Sequence, residues 1–343
     1  MLPNIMTRRG TVAVIGAGSW GTTVASVAAA NAPTLLWARR SELADEINEA
    51  HTSDAYLPGL ELHPDLRATS SIEEAAASAD VLVMAVPSHG FREVLESAAD
   101  HVRPWVPVVS LVKGLERGSK LRMTQIVEEV VPGHPAGVLS GPNLAREIMT
   151  GHAAAAVIAM PDERVAMPLQ DIFKAPLFRI YRSTDVLGAE IAGALKNVFA
   201  IAAGMSTGLG TGDNTRALVI SRALAEMTRL GVAMGGDQLT FAGLAGMGDL
   251  LATCISPLSR NRKVGEELAK GRSLAEITDE MNMVAEGIKT SRVARELADE
   301  YDVDMPIVRQ VDAVINEGRT PAEAYEGLLR RVPSTEFQGV GAS

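Results

Sequence analysis

Short apolar runs alternate with amphipathic stretches along the first half of the chain. The apolar runs predict seven strands, at residues 11–16, 34–38, 81–86, 106–112, 137–141, 154–159 and 177–181. Residues 41–50 and 91–100 lie between strands and have the spacing of helices. Strands that are apolar on both faces and separated by helices predict a parallel sheet covered on both sides. We therefore expect a doubly wound α/β domain over residues 1–184.

The pattern changes at about residue 184, where the strand signals stop. Ser183, Thr184 and Asp185 are candidate N-caps, and apolar residues then recur at helical spacing. Further helices are predicted at residues 214–231, 260–270, 273–280, 287–300, 307–316 and 321–331. Residues 185–343 are therefore expected to form a second, all-helical domain.

Composition narrows the classes of function. The net charge of −10 argues against the basic surface of a nucleic-acid-binding protein, so any anion site must be a local cluster of Lys or Arg. Cys254 is the only cysteine and the six histidines are scattered, so neither an intrachain disulfide nor a metal site is expected. No apolar run reaches about 18 residues, so we expect no membrane span and a cytoplasmic protein.

A glycine motif follows the first predicted strand. Gly16, Gly18 and Gly21 have the spacing G-x-G-x-x-G and precede a predicted helix, which is the context that gives this short motif its meaning. The first glycine permits a tight turn, the second lets a pyrophosphate approach the backbone, and the third lets helix and strand pack closely. Free N–H groups at the helix N-terminus would bind the phosphates. The motif predicts a dinucleotide site in a Rossmann-type domain.

The residues after the second strand bear on the identity of the dinucleotide. NAD sites usually carry Asp or Glu there, for the ribose hydroxyls, whereas this chain has Arg39 and Arg40. Arginine can pair with a 2′-phosphate and stack on adenine. The two arginines favour NADP(H), with NAD(H) as the alternative, although both could also be solvated surface charges.

Two ionisable side chains stand in apolar surroundings in the second half. Lys196 lies in the stretch GALKNVFAIAAG and Asp249 in GLAGMGDLLATC. Lysine is almost never buried without a partner, so Lys196 is expected to line a cleft where desolvation would lower its pKa toward that of a general acid–base. Asp249 is the expected partner of Lys196.

Three further stretches offer groups that bind anions. Lys113 follows the fourth predicted strand, and Gly141 and Asn143 follow the fifth, where open α/β sheets bind their ligands. The sequence SRNR at residues 259–262 places two arginines beside a helix start. In an acidic chain this local cluster predicts a small phosphorylated substrate, which arginine can bind in bidentate fashion. An ordinary loop lysine, a helix cap and a solvated helix start are the alternatives.

Together these motifs resemble one family. Over residues 12–287 the chain carries, in order, GAGSWGT, VKGLE, LSGPN, GALKNV, GLAGMGDL, SRNR and VAEG. It resembles the bacterial NAD(P)-dependent glycerol-3-phosphate dehydrogenases over nearly its whole length. The resemblance implies a Rossmann-type domain followed by a helical domain like the C-terminal domain of 6-phosphogluconate dehydrogenase. A homodimer is a candidate assembly, and the roles of residues 1–10 and 332–343 stay open.

The resemblance also implies a reaction and roles for single residues. Dihydroxyacetone phosphate and NAD(P)H would be interconverted with sn-glycerol 3-phosphate and NAD(P)+, for glycerophospholipid synthesis. Lys196 matches the proton donor and acceptor, Asp249 the carboxylate beside it, and Lys113 a lysine near both cofactor and substrate. The implied substrate contacts are Lys113, Gly141, Asn143, Lys196, Asp249, Ser259, Arg260 and Asn261. The implied cofactor contacts are Gly16, Gly18, Ser19, Trp20, Gly21, Arg39, Arg40, Lys113, Ala145, Arg260, Val284 and Glu286.

One position departs from the family pattern, and two other functions stay open. Bacterial members commonly carry Ser or Thr where this chain has Asn143, which leaves the partner of that contact in question. A β-hydroxyacid dehydrogenase or a ketopantoate reductase would also combine an α/β and a helical domain, but would bind a carboxylate substrate. A dinucleotide sensor would not need the acid–base pair Lys196 and Asp249, which argues against it.

The arginines after the second strand give a first prediction. We expect kcat/KM for NADPH to equal or exceed the value for NADH, because Arg39 and Arg40 can pair with the 2′-phosphate. Oxidation of the two cofactors by dihydroxyacetone phosphate, measured side by side, tests this. A strong preference for NADH would contradict it.

Overall fold

The chain forms one unit built on a sheet and one helical unit. In the structure, a computed structural model, residues 10–281 and 285–330 are described. The first unit runs to Val112 and resumes over Met123–Val186. The helical unit comprises Lys113–Arg122 and continues from Leu187.

This division differs in two respects from the predicted domains, 1–184 and 185–343. The main boundary lies after Val186 rather than after residue 184. The Lys113–Arg122 segment joins the helical unit, because Leu115 is buried in the helical core and Arg122 pairs with Glu190 at 2.6 Å.

Within the described residues of the first unit, eight strands form one sheet. They are β1 (Val12–Ile15), β2 (Thr34–Trp37), β3 (Arg67–Thr69), β4 (Val81–Met84), β5 (Val108–Ser110), β6 (Ala136–Ser140), β7 (Ala154–Ala159) and β8 (Phe178–Ser183). Their order is β3-β2-β1-β4-β5-β6-β7-β8. The strand order reverses direction at β1, which pairs in parallel with β2 on one side and β4 on the other. Ligands of such sheets bind at the carboxyl ends of the strands at this switch point.

The sheet differs from the predicted one at β3 and β7. The three-residue strand β3 was not predicted, because Arg67 and Thr69 give it no apolar run. β7 pairs antiparallel with β6, whereas the other paired strands of this sheet are parallel. An apolar pattern reports burial and not strand direction, so the sequence could not distinguish the two orientations.

Helices flank the strands on both sides. They are α1 (Ser19–Ala29), α2 (Ser41–Ala50), α3 (Ile72–Ser78), α4 (Phe91–Ala99), α5 (Met123–Val130), α6 (Ala145–Met149) and α7 (Glu163–Phe173). β1 and β4 are buried at every position, as expected for central strands covered on two faces. Phe91, at the start of α4, is fully buried and is therefore a core residue.

The helical unit is built around one long apolar helix. Its helices are α8 (Val186–Gly208), α9 (Asp213–Ala233), α10 (Gln238–Ala242), α11 (Asp249–Ile255), α12 (Arg260–Ala269), α13 (Leu274–Asp279), α14 (Glu286–Glu300), α15 (Pro306–Asn316) and α16 (Pro321–Leu329). α8 is buried from Gly188 to Ser206, on all sides, which is typical of a central core helix. Among the described residues it is the one helix long and apolar enough to cross a membrane, but 89% of its apolar window is buried inside the protein.

Glycines allow the backbones of α8 and α12 to touch. A Cβ atom on Gly204 of α8 would lie 2.0 Å from the carbonyl oxygen of Arg262, and one on Gly265 of α12 would lie 2.0 Å from that of Ile201. Neither position can accept a side chain without moving a helix. The start of α12, with its SRNR sequence, is therefore fixed against the middle of α8.

A buried carboxyl group caps α15. Glu226 of α9 is 1% exposed, and its two oxygens accept hydrogen bonds from the backbone N–H groups of Ile307 and Val308 at 2.8 to 3.3 Å. Pro306 stands at the first position of α15, where the missing N–H is no loss. Burial raises the pKa of Glu226 to about 8, and the backbone hydrogen bonds only partly oppose this.

The raised pKa of Glu226 predicts a pH dependence of stability. In the unfolded chain this group loses its proton near its ordinary pKa of 4.5, whereas the folded state keeps the proton to about 8. Unfolding between these values releases a proton, so the contribution of Glu226 to the free energy of unfolding is complete below about pH 4.5 and is lost as the pH rises through 8.

Glu226→Gln removes this titration while keeping the size of the side chain. As the pH rises from 5 to 9, we expect the stability of the variant to increase relative to that of the parent protein, because only the parent loses the contribution of protonated Glu226. Urea midpoints of both proteins at pH 5 and pH 9 measure this. Glu296→Gln, at an exposed position of α14, is the control. A stability difference between parent and Glu226→Gln that is the same at both pH values would contradict the assignment.

Candidate active site

The glycine turn of the first unit brings β1, α1 and the end of β4 into close backbone contact and leaves open space at Gly18. Gly16 follows β1 with φ +121°, and a Cβ atom there would lie 2.8 Å from the Ala85 carbonyl oxygen. A Cβ atom on Gly21 would lie 2.0 Å from the Gly16 carbonyl oxygen, so helix α1 and the turn are in backbone contact. At Gly18, the N-cap of α1, a Cβ atom would meet open space. The turn therefore leaves space for a ligand beside the N-cap of α1.

The neighbouring predicted cofactor residues have different surroundings. Ser19 Oγ donates a hydrogen bond to the Tyr56 carbonyl at 2.8 Å. The Trp20 ring packs edge-on against Phe178, with ring centres 6.2 Å apart. Both side chains thus have protein contacts of their own and fix the first turn of α1.

The two arginines predicted to select the cofactor lie where the sequence indicated. Arg39 and Arg40 follow β2 and are exposed, and Arg40 is the N-cap residue of α2. Their guanidinium groups are accessible at the carboxyl end of β2.

The loop after β6 depends on a glycine. Gly141 has φ +131°, and a Cβ atom there would lie 3.0 Å from the Ala156 Cα atom on β7. Asn143 is half-buried in the same loop, and Ala145 begins the short helix α6. The backbone of this loop is therefore held close to β7.

The helical unit contains a buried cluster of one carboxylate and two amines, the lysine–aspartate cluster of Lys113, Lys196 and Asp249. Lys113 Nζ lies 2.7 Å from Asp249 Oδ2, and Lys196 Nζ lies 2.9 Å from Asp249 Oδ1. The side chains are 13%, 8% and 3% exposed, respectively. The structure thus brings together three residues that are predicted separately, each of the two oxygens of Asp249 facing a different lysine.

Charge and burial compete in the lysine–aspartate cluster. Burial alone would raise the pKa of Asp249, but the two ammonium charges and their hydrogen bonds outweigh it and lower the pKa. Burial lowers the pKa of Lys113 to about 8, although the charge of Asp249 opposes this shift and Lys196 adds to it. At neutral pH the carboxylate is ionised and Lys113 is near its own titration.

Thr253 also belongs to this site, and sequence reasoning missed it. Lys196 Nζ donates to Thr253 Oγ1 at 2.7 Å, and Thr253 Oγ1 donates to the Asp249 carbonyl at 2.7 Å. The hydroxyl thus fixes the direction of the Lys196 ammonium. The one sequence signal is the spacing of four residues between Asp249 and Thr253, which sets both on one face of a helix.

A π-helical turn sets the start of α11. Over Leu244–Gly248 the chain forms a π turn, closed by a hydrogen bond of 3.0 Å from the Gly248 N–H to the Gly243 carbonyl. A Cβ atom on Gly246 would lie 2.1 Å from the carbonyl oxygen of Phe241. Isolated π turns occur often at functional sites, and this one ends at Asp249.

The three residues of the SRNR turn that were predicted to bind phosphate together have different surroundings. Ser259 is the N-cap of α12 and accepts a hydrogen bond from the Arg262 N–H at 3.3 Å. Asn261 is 7% exposed, whereas the Arg260 side chain is exposed. Surrounding protein lowers the pKa of Arg260 by desolvation, and the carboxylate of Glu286 opposes this. Of the three predicted phosphate contacts, Arg260 therefore offers an accessible charge, while the other two shape the turn.

Two predicted cofactor residues lie near the start of α14. Glu286 is its first residue and is half-buried. Val284 lies outside the described residues.

Family models match both parts of the chain. The NAD-dependent glycerol-3-phosphate dehydrogenase N-terminus model matches residues 11–166, and the corresponding C-terminus model matches residues 185–326. A relative from Mycobacterium avium, named glycerol-3-phosphate dehydrogenase NAD(P)+, is 60% identical over 96% of this chain and 97% of its own length. One from Sphingopyxis alaskensis with the same activity in its name is 59% identical over 93% of this chain and 96% of its own.

This chain belongs to the NAD-dependent glycerol-3-phosphate dehydrogenase family.

A solved structure agrees with this membership. The crystal structure of glycerol-3-phosphate dehydrogenase from Coxiella burnetii superimposes with a TM-score of 0.90 at 33% identity, over 94% of this chain and 99% of that one. The prediction of a Rossmann-type domain followed by a helical domain is thereby confirmed. Membership in this oxidoreductase family also decides against a carboxylate-specific reductase and against a sensor without catalysis.

Proposed function

We propose that Lys196 is the proton donor and acceptor in the reversible conversion of dihydroxyacetone phosphate and NAD(P)H to sn-glycerol 3-phosphate and NAD(P)+. The reaction is assigned from membership in the glycerol-3-phosphate dehydrogenase family. The observation that carries the role of Lys196 is its buried ammonium, oriented at 2.9 Å by Asp249 and at 2.7 Å by Thr253.

The glycine turn and its surroundings would bind the dinucleotide. The open space at Gly18, the N-cap of α1, fits a pyrophosphate. When bound, the reduced nicotinamide supplies the hydride. We propose the further contacts Ser19, Trp20, Arg39, Arg40, Ala145, Arg260, Val284 and Glu286, on the basis of the family resemblance.

The lysine–aspartate cluster can stabilise the charge that the reaction creates. Reduction of the ketone places negative charge on its oxygen, which an ammonium stabilises and then protonates. Two ammonium groups and one carboxylate leave the cluster with a net positive charge, because Asp249 neutralises only one lysine. In the reverse direction the neutral amine of Lys196 accepts the proton of the alcohol. Lys113, protonated below a pKa of about 8, supplies the second positive charge.

Arg260 is the proposed anchor for the substrate phosphate. The residue is exposed as a whole, and neighbouring protein partly desolvates its charge, which strengthens a charge-assisted hydrogen bond to a phosphate. Ser259 and Asn261 support this turn from buried positions. Gly141 and Asn143 are proposed to contact the substrate from the loop after β6.

The setting of the reaction is also a proposal. The family resemblance supports a cytoplasmic homodimer whose product is used for glycerophospholipid synthesis. Sedimentation of the purified protein would test the homodimer, and a monomer would contradict it. Fractionation of cells would test the cytoplasmic location, and a membrane-bound protein would contradict it.

Replacement of the proposed acid–base residue gives a direct test. We expect Lys196→Ala to lower kcat at least about 100-fold, since a positioned acid–base group contributes roughly 10²- to 10⁴-fold. Lys196→Met, which keeps the apolar stem, should lose as much activity with less disturbance of packing. Steady-state kinetics at pH 7 measures both, and a loss below tenfold would reject the role. Lys270→Ala, an exposed lysine on the same unit, should retain full activity.

Replacement of the phosphate anchor should act on binding. We expect Arg260→Ala to raise KM for dihydroxyacetone phosphate roughly 10- to 100-fold, because hydrogen bonds to charged groups contribute about 1.5–3 kcal/mol. KM for unphosphorylated dihydroxyacetone should change little. Lys263→Ala removes an equal charge from an exposed site on α12 and is the matched control. Equal effects on the two substrates, or an equal effect of Lys263→Ala, would show that Arg260 does not bind the phosphate.

A further inference from the structure

Asn197, the residue after Lys196 on α8, is buried and makes two hydrogen bonds across the helical unit. It is 5% exposed. Its Nδ2 atom donates to the carbonyl oxygen of Lys113 at 2.9 Å, and its Oδ1 atom accepts from Asn261 Nδ2 at 2.9 Å. One side chain thus joins the backbone of one cluster lysine to the α12 turn.

The hydrogen bonds continue from Asn261 to the start of α14. Asn261 Oδ1 accepts from the backbone N–H of Gly287 at 2.9 Å. A Cβ atom on Gly287 would lie 2.4 Å from the Asn197 carbonyl oxygen, so α14 begins in backbone contact with α8. Buried amide groups of this kind are stable only when donors and acceptors are matched. The matching fixes Asn197 in one rotamer.

α8 holds the Lys113–Arg122 segment at both ends. Asn197 binds the carbonyl of Lys113 at one end, and Glu190 pairs with Arg122 at 2.6 Å at the other. Glu190 and Asn197 are seven residues apart and therefore lie on one face of the helix. The helix that carries Lys196 thereby also sets the position of the Lys113 main chain.

We propose that Asn197 is a positioning residue for the reaction, which acts by fixing the Lys113 backbone so that both lysines meet the carboxylate of Asp249. The proposal rests on the function proposed above, in which Lys113 supplies positive charge at the reacting oxygen. The hydrogen bond restrains only the main chain of Lys113, but this matters because the long lysine side chain has many rotamers. A fixed backbone reduces the number of conformations from which its ammonium must reach Asp249.

Two substitutions separate the hydrogen bonds of Asn197. Asn197→Leu keeps the volume and removes both bonds, whereas Asn197→Asp keeps the acceptor for Asn261 and removes the donor to Lys113. We expect each to lower kcat roughly 10- to 100-fold, the size expected when a reacting group is displaced by about 1 Å. KM for dihydroxyacetone phosphate should change less than about threefold in Asn197→Asp, because this variant keeps the acceptor for Asn261 and so leaves the turn of Arg260 in place. Asn197→Asp retains polarity and size, so it remains a test if the leucine variant does not fold.

A double-mutant cycle with Lys113→Ala tests whether the effect passes through Lys113. We expect Asn197→Leu and Asn197→Asp to have less than about a twofold effect on kcat once Lys113 is absent. Equal losses with and without Lys113 would overturn the positioning role alone, and so would an unchanged kcat in the single Asn197 variants. An unchanged kcat in Lys113→Ala itself would overturn the proposed function of Lys113 together with the positioning role.

Ser206→Ala is the matched control on the same helix. Ser206 is 4% exposed, and its hydroxyl contacts Thr211 at 2.6 Å rather than the lysine–aspartate cluster. We expect it to leave kcat and KM unchanged even where it lowers the melting temperature. A kcat loss in Ser206→Ala as large as that in the Asn197 variants would show that general destabilisation of α8, and not positioning, lowers activity.

Discussion

The carboxylate of Asp249, buried between two lysines, is the interaction on which the helical unit depends. A buried charge is strongly unfavourable unless it is paired, and removing one partner of a buried pair leaves the other uncompensated. Here each oxygen of Asp249 faces a separate ammonium, at 2.7 and 2.9 Å. Three segments distant in sequence must therefore meet at one point: the start of Lys113–Arg122, the middle of α8 and the first residue of α11. The π turn before α11 sets the position of Asp249, and the hydrogen bond from Asn197 sets the position of the Lys113 main chain.

Close backbone packing makes such a meeting possible. α12 and α14 both reach the surface of α8 at glycines, and at Gly204, Gly265 and Gly287 a Cβ atom would overlap a neighbouring carbonyl group. Short distances between helix axes allow short side chains such as Asn197 and Asn261 to span the gaps. The low aromatic content of 4% is consistent with this architecture, because small residues and not large rings fill the contacts between these helices.

The sequence revealed the charged members of the site because they break an otherwise apolar pattern. Lys196 and Asp249 could be singled out in this way, and the structure joins them directly. Thr253 and Asn197 could not, because a hydroxyl or an amide is ordinary in a helix and its importance lies in the partner that the tertiary fold provides. Lys113 was identified from the sequence as a residue at a strand end, yet it belongs to the helical unit. Its segment joins that unit because Leu115 is buried in the helical core, and the sequence pattern does not show which core a single leucine enters.

Burial of the lysine–aspartate cluster also limits the pH range over which Lys113 is charged. Desolvation holds the pKa of Lys113 at about 8 while the two ammonium groups keep Asp249 ionised. Below that pH the cluster carries one net positive charge, because two ammonium groups face one carboxylate. Above it, Lys113 loses its proton and the positive charge that it adds to the cluster. In the function proposed above, Lys113 supplies this positive charge beside Lys196, and the hydrogen bond from Asn197 to the Lys113 carbonyl would influence the reaction without contact to the substrate.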